Sequence, residues 1–250
     1  MITRRAFVLA GLAAACGAAA ATEPVRALSA GALEPALAAA LDRWRSGGGG
    51  PVAVAFATAP GIAERLAAGE RPDLVLAPRA FVERLEHAGE LAAKPVAVGS
   101  VGVGIAVRDG APVPAIRDEA SLREHLAAAD SVVFNRASTG LYMDRLFERM
   151  GLAQSIGAKA VRFPDGDGVL RRIAAGTGRE IAFAAATEIA LFRGRGVRYA
   201  GPLPDGLQNR TAYAAALLGD AGARGAEARR LLDFLDSPAS RDAMAGAGVE

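Results

Sequence analysis

Apolar positions along the chain fall into two alternating patterns. Short runs rich in Val, Ile, Phe and Ala occur at Val25–Ser29, Pro51–Ala57, Asp73–Ala77, Val96–Val98, Val101–Val107, Asp130–Phe134, Lys159–Phe163, Glu180–Ala185 and Gly196–Ala200. Runs of this length and composition predict strands. Between them, apolar residues recur at helical spacing. The clearest case is Ala32–Trp44, with Leu33, Leu37, Leu41 and Trp44 on one face. Further helices are predicted over Ile62–Ala68, from Pro78 to His87, over Ser121–Ala128, Leu141–Met150, Val169–Ala175 and Glu227–Leu235. Ser237-Pro238 reads as a cap and a first-turn proline opening a last helix. Pro35 is likewise tolerated in a first helical turn.

Regular alternation of strand and helix implies an α/β fold with mostly parallel sheets. In such folds ligands collect where strand C-termini meet helix N-termini. Four junctions carry small or polar residues: Ser29–Gly31, Thr58-Ala59, Ala137–Gly140 and Asp165–Gly168. The richest is Asn135–Tyr142, which combines two hydroxyls, a glycine and an arginine between a strand and a helix. Unpaired N–H groups and the helix dipole make such a turn ready for an anion. Arg136 reads either as a fork gripping that anion or as a surface ion-pair partner. Ser138 and Thr139 read as ligand donors or as helix caps, Thr58 as a cap or a contact, and Tyr142 as core or contact. Ala111–Pro114 is read as a crossing into a second lobe and Asn209–Ala215 as the return. Gly102 and Gly104 have no helix after them, so they mark close backbone packing rather than a dinucleotide loop.

Charge changes the picture in one respect. The chain has 29 basic and 27 acidic residues. Arg4 and Arg5 account for the whole excess, so the chain after residue 21 is formally neutral. That argues against a nucleic-acid binder. Residues 1–21 read as an export signal: a charged start, an apolar core over Ala6–Ala15 too short to span a bilayer, and small residues before a cleavage point after Ala21. Thr3–Leu9 resembles a twin-arginine pattern, although two arginines also suit the general secretory route. Cys16, the only cysteine, loosely resembles a lipoprotein box, and an incidental residue in a discarded peptide is the simpler reading. A periplasmic protein without disulfide or thiol chemistry is expected.

Catalytic and metal constellations are not found. His87 and His125 lie far apart, and neither a zinc motif nor a nucleophile elbow occurs. Asp165–Gly168 reads as a tight turn before a helix, since the remaining ligands of a calcium loop are missing. No catalytic residue, metal or cofactor is therefore expected.

Several segments together resemble the type II periplasmic solute-binding proteins of ABC importers, and within them the molybdate-binding branch. They are Leu28–Leu37, Phe56–Gly61, Gly69–Ala77, Ala137–Tyr142, Ala175-Gly176 through Ala186–Glu188, and Leu235–Ser240. The resemblance covers essentially the whole chain after residue 21. It implies two α/β lobes, each a mostly parallel sheet flanked by helices, joined by two crossing segments: residues 22–108 with 209–250, and residues 109–208. It further implies an anion held between the lobes by hydroxyls and N–H groups, with Ser29, Thr58 and Thr139 as carried-over contacts. With the junction residues, the candidate ligand set is Ser29, Gly31, Thr58, Arg136, Ser138, Thr139, Gly140, Tyr142, Gly166 and Gly168. Ala185 stands where that family has a ligand-contacting tyrosine. The implied function is capture of a molybdate- or tungstate-like oxyanion, as a monomer, for an ABC permease. A small organic acid held by Arg136 is the alternative, and a periplasmic enzyme on the same fold a more distant one.

Overall fold

A computed structural model describes residues 23–219 and 222–250 of the chain. The expected export signal and Cys16 lie outside these residues. The first third runs β1 (Val25–Ala30), a single helical turn at Gly31–Leu33, α1 (Glu34–Ser46), β2 (Val52–Ala57), α2 (Ala59–Ala67), β3 (Leu74–Pro78) and α3 (Arg79–His87). The long strand β4 (Val96–Arg108) follows, then α4 (Glu119–Ala128), β5 (Ser131–Asn135), α5 (Ser138–Arg149), α6 (Ala153–Gly157), β6 (Ala160–Phe163) and α7 (Gly166–Ala174). The chain closes with β7 (Glu180–Ala185), α8 (Ala186–Leu191), β8 (Val197–Pro202), β9 (Arg210–Leu217), α9 (Gly225–Leu235) and α10 (Pro238–Gly246).

The strands order as β2-β1-β3-β9-β4-β7-β5-β6, with β8 on β4. β1 is parallel to both β2 and β3, and β5 is parallel to both β6 and β7. β9 runs antiparallel between β3 and β4, and β4 runs antiparallel to β7 and β8. The sheet is therefore two parallel blocks stitched by antiparallel strands.

β4 is the stitch. From Val96 to Gly102 it pairs with β9, and from Val103 onward it pairs with β7 and β8. The chain thus passes from one block to the other inside a strand. The expected crossing at Ala111–Pro114 lies beyond that point, and Val96–Val98 and Val101–Val107 are one strand, bulged at Gly99, whose φ is +112°. The return runs through Leu203–Asn209, and Arg210–Leu217 is already a strand of the first block. Gly104 behaves as expected: a Cβ there would come within 2.7 Å of both Ile189 and Tyr199.

Each block buries both faces of its sheet. In the first, α1, α9 and α10 cover one face around Leu37, Trp44 and Leu232, and α2 and α3 cover the other around Ile62 and Phe81. In the second, α4, α5 and α6 pack on Phe134 and Phe183, and α7 and α8 pack on the opposite face around Val133 and Ala182. β3 and β7 are buried along almost their whole length, which explains why their sequences are unbroken apolar runs rather than alternating ones.

Candidate functional site

The C-terminal ends of β1, β2, β3, β5 and β7 come together between the two blocks. Each feeds straight into a helical turn, so five helix starts face one cleft. It is lined by Ala30, Gly31 and Ala32 after β1, Thr58-Ala59 after β2, Pro78 at the end of β3, Asn135 and Ala137–Thr139 after β5, Ala185 and Glu188 after β7, and Tyr213 on β9. Its cavity volume is ≈ 30 Å³.

The loop after β5 shows how the site is built. Asn135 is the last, buried residue of the strand. Its Oδ1 accepts hydrogen bonds from Ala137 N–H at 3.1 Å and Gly140 N–H at 2.9 Å. Asn135 therefore satisfies two free donors at the start of α5. The N–H groups of Ser138 and Thr139, the first two residues of that helix, have no partner within it. Capping falls to Asn135, so the Ser138 and Thr139 side chains are available to the cleft. Across the cleft, Thr58 caps α2, its Oγ1 accepting from Gly61 N–H at 3.4 Å.

The other sequence candidates sit elsewhere. Ser29 is fully buried and its hydroxyl donates to Ala30 C=O at 3.2 Å, behind the cleft wall. Arg136 is exposed and outside the lining, with its N–H on Phe163 C=O. Tyr142 is core: its hydroxyl donates to Leu207 C=O at 2.6 Å. Gly140 allows the close approach to Asn135, and a Cβ there would overlap the Asn135 carbonyl. Gly168 donates to the Asp165 carboxylate that caps α7. Gly166 abuts the Glu188 carboxyl and leaves room for it. Of the ten candidates, Gly31, Thr58, Ser138 and Thr139 line the cleft directly.

Sequence reasoning gave no role to Asn135 or Glu188. Glu188 lies in the first turn of α8, where its Oε2 accepts from Ala185 N–H at 3.4 Å. It is half-buried as a residue, its open side being the cleft. Burial pushes its carboxyl up to about 7, and Asp165, Glu34 and Asp167 push the same way against the stabilising Ala185 N–H. Tyr213 is also raised, by burial first and by Glu188 second. Among the described residues no group of three or more His, Cys, Asp or Glu is placed to hold a metal ion, and no helix is long and apolar enough to cross a membrane.

Two α/β blocks connected by β4 and by Leu203–Asn209 around a cleft of helix starts define the type II periplasmic binding-protein fold. Residues 25–250 match the bacterial extracellular solute-binding protein family, and the chain belongs to it. The periplasmic molybdate-binding protein of Azotobacter vinelandii superposes with a TM-score of 0.73 at 14% identity, over 90% of this chain and 98% of that one. The sulfate-binding protein SubI of Mycobacterium tuberculosis does so with a TM-score of 0.71 at 19% identity, over 90% and 86%. By sequence, the chain is 31% identical over 195 residues to an aconitate isomerase from a Pseudomonas species, spanning 77% of this chain and 72% of that protein.

Proposed function

We propose that this protein captures a small oxyanion of the molybdate, tungstate or sulfate type in the periplasm and delivers it, as a monomer, to an ABC permease. The observation that carries the reading is the convergence of five helix starts, with the Gly31, Thr58, Ser138 and Thr139 positions facing a cleft of ≈ 30 Å³ that no arginine or lysine lines among the described residues. Neutral donors at helix N-termini favour a compact anion through dipoles and hydrogen bonds rather than through an ion pair. Binding between the lobes would stabilise the closed form, which the permease then reads.

Titration calorimetry with molybdate, tungstate, sulfate and a carboxylate panel tests the reading, and absence of heat with every anion sinks it. Thr139→Ala should weaken the preferred oxyanion by roughly 10- to 100-fold, the loss of a hydrogen bond to a charged group at about 1.5–3 kcal/mol. Ser138→Ala should act in the same direction. Arg136→Ala should leave affinity within about twofold, because a solvated charge outside the lining contributes little. A large loss at Arg136 would instead restore the organic-acid clamp.

Glu188 favours a second reading. A carboxyl titrating near neutrality in a ligand cleft suits proton transfer, and one relative is an aconitate isomerase. An aconitate-isomerase-like activity would appear as interconversion of cis- and trans-aconitate by the purified protein, followed by proton NMR.

A further inference from the structure

An acidic side chain in the wall of an anion site is an electrostatic contradiction, and the way it is housed resolves it. Glu188 is held between the two blocks. Its Oε1 faces Gly31 of the first block, where a Cβ would come within 3.3 Å, and its Oε2 packs against Gly166 of the second, where a Cβ would collide with it. Two glycines on opposite lobes thus open the space that the carboxyl fills. The helix that carries it also joins the lobes, because the neighbouring Thr187 hydroxyl donates to Ala32 C=O at 2.6 Å.

The titratable groups facing Glu188 are Asp165 and Asp167 at the start of α7, Glu34 in the first turn of α1 and Tyr213 on β9. The charged ones are all acidic. Asp165 is occupied in capping Gly168, and Asp167 is paired with Arg171. Tyr213 is pushed up and stays neutral through the physiological range, so it is no source of a mobile proton.

We propose that Glu188 is the proton-carrying member of the anion site: its neutral carboxyl donates to the bound oxyanion, and above neutrality up to one proton enters the cleft with each anion. This inference rests on the anion-binding reading above. Its sign follows from linkage. Burial holds the Glu188 carboxyl at about 7, and an adjacent anion raises it further, because a like charge disfavours the ionised form. Binding then takes up a proton at pH values above about 7, and affinity falls as pH rises through that window.

The test uses sulfate and molybdate, both fully ionised over the range. In wild type, affinity should fall by up to about tenfold per pH unit between roughly pH 7 and 9. Calorimetry in buffers of different ionisation enthalpy should count up to one proton taken up per anion. Glu188→Gln keeps donor capacity through its amide and should flatten the pH profile. Wild-type binding with no proton uptake overturns the inference and leaves the anion reading standing, as does an equal slope in both proteins. If wild type binds neither anion at any pH, both readings fall. Should Glu188→Gln not fold, the wild-type proton count decides alone.

Discussion

Gly140→Ala should cost about 3–5 kcal/mol of stability, the sum of a steric and a hydrogen-bond loss. Gly140 is the third residue of α5, and its backbone is ordinary, with no positive φ. Space is what the position demands. A Cβ would overlap the carbonyl oxygen of Asn135 and come within 2.6 Å of its carbonyl carbon. These are backbone atoms at the end of a central strand, so no rotamer change relieves the clash. Overpacking alone costs about 1–3 kcal/mol. Separating Gly140 from Asn135 also breaks the Gly140 N–H bond to Oδ1 and strains that of Ala137, each worth about 1 kcal/mol. Urea unfolding provides the measurement, with Gly157→Ala as control. Gly157 has open space around its Cβ position at the end of α6, so that change should be neutral or slightly stabilising. Innocuous substitutions stay within about ±0.5 kcal/mol of wild type. A Gly140→Ala protein that falls in that range would show that the Asn135 cap does not organise the loop.

That cap also shows where sequence reasoning stops. The alternation of strand and helix is written in residue periodicity, so β1, β2, β3 and β5 with the helices after them were legible, as was the strand β7. So were the caps at Thr58 and Ser237, whose hydroxyls accept from the N–H three residues on, as the pattern predicts. The direction of a side chain at a strand end was not. Asn135 ends β5 and Arg136 opens the bend that follows it. Asn135 is buried and holds the loop, and Arg136 is exposed. The structural part of the amide is therefore visible only in the fold, not in the residue pattern.

The position of the crossing between blocks was hidden for another reason. Prolines at Pro112 and Pro114 mark a loop, but β4 changes partners at Gly102–Val103 in the middle of one continuous strand. A change of pairing partner leaves no trace in the composition of such a strand. Glu188 was obscured by context. It stands in a six-residue helix, too short for periodicity, and its meaning comes from Gly31 and Gly166, which are remote in sequence. Ser29 sits at the predicted junction, but its hydroxyl turns back onto its own strand, an orientation that residue type alone does not reveal.

Phe147→Ala should cost about 3–5 kcal/mol, the range for removing a buried aromatic. Phe147 lies on α5, two turns after the site hydroxyls, and is almost fully buried. Its ring stands edge-on to Phe134 on β5 at 5.8 Å and to Phe183 on β7 at 6.0 Å. It therefore ties the helix carrying Ser138 and Thr139 to two of the strands whose ends form the cleft. Such aromatic pairs add about 0.5–1.5 kcal/mol beyond burial, which places this site toward the upper part of the range. For a chain of this size the melting temperature should drop by roughly 6–20 °C. Phe147→Leu keeps most of the volume and should lose less. Anion affinity measured well below the transition should change by less than about threefold, because Asn135 fixes the start of α5 independently of the ring beneath its middle. Saturating anion should raise the melting temperature of wild type and variant alike, since ligand linkage depends on affinity and concentration rather than on core packing. A variant that loses anion binding while still folded would place the organisation of the cleft in the packing of α5 rather than in the Asn135 cap.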